Sequence, residues 1–221
     1  MAIILALLIS AAWRPQYRNG IASAYLGSLP PDYRILARRE SITGFISVGE
    51  YLLPEHRRWI RFLRADHSLL GGIWYDGPDS GPITDAESIY TAFHLQEAVR
   101  LVEPPPMLPE DRVKRRALII GLGIGTAVEG LEQHGVQTTV VEIDPVVYGF
   151  ARRFFGLAEP SGGVHLQDAR AYLRQHGEEK FDYIVHDVFT GGAIQAFLLT
   201  LEIWQDVANV LAPDGIVAIV S

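Results

Sequence analysis

Four features of the 221-residue chain could do chemistry, and each follows an apolar run. Gly121-Leu122-Gly123-Ile124-Gly125-Thr126 follows the first run, and Glu142 stands at the end of the second. Gln167-Asp168-Ala169 follows the third, and His186-Asp187 closes the fourth. A glycine loop between a strand and a helix lets the backbone approach a ligand closely, at the positive end of the helix. A carboxylate at the tip of the second strand, Glu142, can accept from both hydroxyls of a ribose. An acid at the tip of the third, Asp168, can accept from the exocyclic amine of adenine, and small Ala169 leaves room for the ring. Any one of these acids could equally cap a helix or sit in a solvated turn, and Asp168 stands where an N-cap would. In succession after a glycine loop they predict an adenosine-bearing ligand of the S-adenosylmethionine type, held by Gly121, Gly123, Gly125, Glu142, Asp168 and Ala169.

Other chemistries are excluded or disfavoured. The dinucleotide fingerprint needs Gly or Ala where Thr126 sits, and no Walker-type P-loop occurs. The seven histidines lack metal-ligand spacing, no G-x-S-x-G elbow is present and there is no cysteine, so no metal is expected. The net charge of −7 disfavours nucleic acid as a partner. The charge is uneven. Residues 14–64 carry nine basic and four acidic side chains, whereas residues 116–221 carry six basic and thirteen acidic ones. An acidic half suits a cationic ligand, and it also serves plain solubility.

The elements that must position these residues follow from periodicity. Residues 42–52, 59–63 and 69–75 read as strands of a small β-meander, closed by a Gly-Pro-Asp-Ser-Gly-Pro turn. Residues 85–102 have helical spacing, and Pro104-Pro105-Pro106 stops them. From residue 117 strands alternate with helices: strands at 117–120, 138–143, 164–166, 181–188 and 216–220, helices at 126–134, 147–155, 169–175 and 196–211. Continuous apolar strands alternating with helices predict a parallel sheet with helices on both faces, whose ligand lies beyond the carboxyl ends of the strands. The fold expected is therefore α/β, a Rossmann-like core preceded by a small β domain. The divisions are 1–40 (apolar segment and basic loop), 41–84 (β domain), 85–116 (helix and proline-rich linker) and 117–221 (nucleotide-binding domain).

Residues 1–13 are almost wholly apolar, but too few for the roughly 20 that span a bilayer. They lack a basic n-region, and Arg14 and Arg18 follow at once. A cut transmembrane helix, an interfacial anchor and a buried helix all fit. At the other end, residues 216–220 form an edge strand apolar on both faces. The expectation is a core lacking its last strands, in a chain cut at both ends and membrane-associated through residues 1–13, with its domain facing the cytoplasm.

At these residues the sequence resembles the spermidine/spermine synthase family, the polyamine aminopropyltransferases, over about residues 42–220. The likeness rests on ALIIGLGIGT at 117–126, VEID at 141–144, QDAR at 167–170, YIVHD at 183–187, LLGGIWY at 69–75 and ESIY at 87–90. It is closer to membrane-anchored, spermidine-synthase-like proteins of fungi, through SITGFISV at 41–48, DHSLLGG at 66–72 and HDVFTGG at 186–192. The resemblance implies a transferase that takes S-adenosylmethionine or its decarboxylated form and moves an aminopropyl group to a small-molecule amine. A methyltransferase on the same scaffold and a non-catalytic, membrane-associated donor-binding protein are the alternatives, and a homodimer is left open. Asp187 matches the family's general base and Tyr90 a substrate-pocket tyrosine. The chemistry asks for such a base, because a protonated amine cannot attack carbon until it loses a proton. Three positions depart from the family pattern. Ile124 stands where an acid would lie near the donor's amino group, Thr190 replaces a second acid, and Thr91 replaces Gln or His.

Overall fold

Two five-stranded sheets carry the chain. The computed structural model describes residues 33–54, 56–78, 87–89, 114–190, 193–194 and 196–219. The amino-terminal sheet is an antiparallel meander in sequence order. It comprises β1 (Tyr33–Ser41), β2 (Gly44–Leu53), β3 (Arg58–Ala65), β4 (Ser68–Tyr75) and β5 (Glu87–Ser88). Alternation sets its two faces: Ile46 and Val48 of β2 are buried beside Leu63 and Ala65 of β3, while Ser47 and Arg64 face the other way.

Two sequence expectations change here. The β part starts at Tyr33, inside the stretch read as a basic loop. Arg34, Arg38 and Arg39 hid this strand, because an edge strand keeps charges that a central strand would not. Glu87–Ser88 pairs with β4 where helical spacing was expected, since Ile73 and Trp74 offer them an open edge. Residues 85–86 and 90–113, with Tyr90, Thr91 and most of the linker, lie outside the described residues.

The second sheet is all parallel, in the order β12-β9-β6-β7-β8. Its strands are β6 (Arg116–Ile120), β7 (Gln137–Glu142), β8 (Val164–Leu166), β9 (Phe181–His186) and β12 (Leu211–Ile219). The helices are α1 (Thr126–Gln133), α2 (Pro145–Phe155), α3 (Ala169–Gln175) and α4 (Leu201–Val210). Central β6 is buried on both faces. Ala117 and Ile119 meet α1, while Leu118 and Ile120 meet α3 and α4, which explains the unbroken apolar run. The helix expected at 196–211 is split into a 3-10 turn at Ala196–Leu199 and α4. A short hairpin, β10 (Phe189–Thr190) and β11 (Ala193–Ile194), follows β9. No helix among the described residues is long and apolar enough to cross a membrane, and residues 1–13 lie outside them.

Strand order reverses beside β6. The chain runs from β6 outward to β7 and β8, then returns to place β9 on the other flank. The chain leaving β6 goes through α1 on one face of the sheet and the chain leaving β9 goes through α4 on the other, and such a switch point is where open α/β sheets bind ligands. A third apolar cluster joins the two sheets. It sets Ile46, Val48, Leu63, Ala65 and Ile73 against Ile124, Val146, Val147 and Phe155. Arg61 of β3 adds a hydrogen bond from its guanidinium to the carbonyl of Phe154 at 2.9 Å.

Candidate functional site at the carboxyl edge

The glycine loop occupies the switch point and is crowded by its neighbours. Gly121 (φ +88°) hands its amide to the Val141 carbonyl at 2.9 Å. A Cβ there would lie 1.7 Å from the carbonyl oxygen of Asp187, so the loops after β6 and β9 touch and only glycine fits. Gly123 (φ +57°) meets the other sheet, where a Cβ would lie 2.6 Å from the Leu70 carbonyl of β4. Gly125, also left-handed, precedes α1 at the N-cap position. The segment read as DHSLLGG thus lies against the glycine loop.

Glu142 ends β7, 7% exposed. Its Oε2 accepts from the Leu122 amide of the glycine loop at 2.9 Å, and its Oε1 accepts from the Asp144 amide at 2.8 Å. Burial pushes its carboxyl up to about 7, against the lowering effect of the Asp144 and Leu122 amides, and the Asp144 charge adds to the rise. An acid so placed is half ionised near neutrality, and hydroxyl donors from a ligand would favour its charged form.

Asp144 is fully buried and caps α2, with Pro145 at the first helical position. Its Oδ1 accepts from the Val146 amide at 2.8 Å and from Ser41 Oγ at 2.6 Å. Its Oδ2 accepts from Thr43 Oγ1 at 2.5 Å and the Thr43 amide at 3.2 Å. Burial alone would raise this carboxyl, but the Ser41 and Thr43 hydroxyls and the Val146 amide outweigh it and hold it below its ordinary value. The sequence reading missed this residue. The signal was available in SITG and VEID, two motifs with no stated partner, but nothing local links segments about a hundred residues apart.

Asp168 caps α3, and its Oδ1 takes both bonds, from the amides of Arg170 at 3.0 Å and Ala171 at 3.1 Å. Ala169 opens that helix and is buried among the residues of the α3–α4 face. Asp187 follows β9, half-buried, its amide bonded to the Ile120 carbonyl at 2.8 Å. His186 before it is buried with its ring against Trp204 of α4, and burial lowers its pKa. The glycine loop, Glu142, Asp168 and Asp187 therefore leave the same edge of the sheet from neighbouring strands. Thr190 lies on β10, which runs beside β4.

Ile124 has a definite place. It is 5% exposed, inside the cluster that joins the two sheets, with its side chain under Gly71 of β4. Where the family pattern has an acid, this chain has a packing residue. Two large apolar side chains are exposed at the same carboxyl edge, Ile143 after β7 and Leu166 at the end of β8.

Comparison with known proteins shows the family and the fold. Residues 73–221 match the model of the spermine/spermidine synthase domain. The chain is 40% identical to an N-terminal histidine N-methyltransferase of Emericella nidulans, over 98% of this chain and 39% of that protein. It is 37% identical to a polyamine aminopropyltransferase of Vibrio vulnificus, over 46% of this chain and 36% of that protein. The chain spans about two fifths or less of the length of these curated relatives. The fold resembles that of the spermidine synthase from Thermotoga maritima, with a TM-score of 0.53 and 21% identity, over 84% of this chain and 56% of that one.

Proposed function

The chain belongs to the spermine/spermidine synthase domain family, and from that membership we propose that it forms the donor-binding part of an S-adenosylmethionine-dependent transferase that methylates an amine nitrogen. The observation that carries the donor reading is Glu142, an amide-held buried carboxylate bonded to the glycine loop at the sheet's switch point. In this reading Glu142 accepts from the ribose hydroxyls. Asp168, whose Oδ2 is not used in capping, accepts from the adenine amine, and exposed Ile143 and Leu166 flank the ring. The Gly121–Gly125 loop, with no side chain at 121, 123 and 125, lets the methionine end approach its backbone closely.

Ile124 favours methyl over aminopropyl transfer. The decarboxylated donor ends in a free ammonium, and an apolar side chain buried between two sheets gives that charge no partner. The long match to a histidine N-methyltransferase supports the same choice. Asp187 takes the proton from the acceptor's ammonium, or from the amine as it attacks. The amine lone pair then forms the N–C bond to the methyl carbon, the C–S bond breaks, and its electron pair returns to sulfur, leaving a neutral thioether. A second reading, aminopropyl transfer, is favoured by Asp187 at the family's base position and by the match to a polyamine aminopropyltransferase.

Incubation with methyl-labelled S-adenosylmethionine and, separately, labelled decarboxylated donor tests both. The acceptors are a peptide with an amino-terminal histidine and a linear diamine. Label passing from S-adenosylmethionine to the peptide is the expected result. Consumption of the decarboxylated donor alone would replace methyl with aminopropyl transfer. Binding of neither donor would remove the donor reading.

A further inference from the structure

The β1–β2 turn, Ser41-Ile42-Thr43-Gly44, has no role in the reading above, yet it reaches the donor edge. It is clamped from behind: Asp66 of the β3–β4 turn accepts from the Phe45 amide at 3.0 Å. A Cβ on Gly44 would run into that carboxylate. From the front, Ser41 and Thr43 donate to Asp144.

Helix capping does not account for this arrangement. Capping uses Asp144 Oδ1 alone, through Val146 and Val147. Among the described residues Oδ2 is held by Thr43, through its hydroxyl and amide. The carboxylate therefore shares one oxygen between α2 and Ser41 and gives the other to Thr43, in a turn about a hundred residues away. Asp144 also donates its amide to Glu142, whose other oxygen holds the glycine loop. Thr43, Asp144, Glu142 and Leu122 thus form one continuous hydrogen-bonded line from the amino-terminal sheet to the loop.

We propose that Thr43, assisted by Ser41, is a positioning residue for the donor site, fixing the strand-tip segment 142–144 so that Glu142 faces its ligand in a set orientation. The inference rests on the donor reading of Glu142. Its consequence is that the amino-terminal sheet tunes donor affinity without touching the donor.

The test uses S-adenosylhomocysteine as the probe, with calorimetric binding and ligand-free thermal unfolding measured on the same samples. Thr43→Val keeps the shape and removes the hydroxyl. Loss of a hydrogen bond to a charged group predicts binding about tenfold weaker. Thr43→Ser restores the hydroxyl and should restore binding. In turnover the donor KM should rise while the acceptor KM holds. If Thr43→Val does not fold, Ser41→Ala serves, with binding about threefold weaker, because both Thr43 bonds to Oδ2 remain. Donor affinity within twofold of the parent in whichever variant folds, even with a lowered unfolding temperature, would reduce the turn to structural glue and overturn the inference. A parent protein that binds no S-adenosylhomocysteine overturns the donor reading and this inference together.

Discussion

Glu50 of β2 and Glu142 of β7 are both buried glutamates, and the two sheets hold them in opposite ways. Glu50 lies beside two cations. Arg61 reaches Oε1 through Nε at 2.9 Å and through a terminal nitrogen at 2.6 Å, and Arg34 reaches Oε2 at 3.1 Å. Burial works to raise its carboxyl, but the neighbouring Tyr75 hydroxyl and the Arg61 and Arg34 guanidiniums together outweigh it and leave it below its ordinary value. Among the described residues Glu142 has backbone amides as its partners, and burial prevails. An acid matched by cations has its charge neutralised and its lone pairs taken. An acid held by amides, at a strand tip, keeps the capacity to gain from a ligand. The amino-terminal sheet closes its charge internally, whereas the parallel sheet leaves its charge to be completed.

Four measurements break or sharpen that contrast. The largest effect is expected at Asp187, the acid proposed as base. Asp187→Asn should cut turnover about 10²–10⁴-fold with unfolding temperature unchanged, and equal turnover would remove it from the chemistry. Next is Arg61→Met, which leaves Glu50, among the described residues, with the half-exposed Arg34 as its remaining cation. Urea denaturation should show a loss of about 3 kcal/mol, with donor affinity kept in the protein that remains folded. A donor-affinity loss as large as that of a Glu142 variant would erase the distinction between the sheets. Third, Glu142→Gln should weaken donor binding about 10–100-fold in calorimetry, and in the ligand-free protein its amide nitrogen leaves one of the Leu122 and Asp144 amides without an acceptor.

The smallest effect is the pH dependence. The folded carboxyl of Glu142 lies above its unfolded value of 4.5, at about 7. Its protonated form is therefore the one favoured by folding. That stability is fully present below pH 4.5 and is lost as pH rises through 7. A donor that binds the carboxylate should follow the opposite course, with affinity falling about tenfold from pH 8 to pH 6. Glu142→Gln should flatten that profile, and a parent profile already flat would show that the acid does not titrate in the site.

What the sequence disclosed divides along similar lines. The glycine loop, the acids at successive strand tips and the strand–helix alternation were legible, because each is a short-range pattern with one physical cause. The strand Tyr33–Ser41 was not, because its arginines suit an edge and mask its alternation. Glu87–Ser88 took a strand pairing from β4 that no helical spacing could foretell. Ile124 read as a lost acid, and only its packing between the sheets gives it a positive role. Asp168 fulfilled the capping role that its position before α3 allowed. The bonds of Ser41 and Thr43 to Asp144 had no local signature at all, since their partners lie 103 and 101 residues away.

That separation has a consequence in time. On the ribosome the turn holding Ser41 and Thr43 is made well before Asp144 exists. At about 5–20 residues per second the wait is roughly 5–20 seconds. Through that interval the face of the meander carrying Ile46, Val48, Leu63 and Ile73 lacks the helix that will cover it. The nascent meander therefore carries an uncovered apolar face until that helix is made, and its docking waits for the Rossmann-like half to be synthesised.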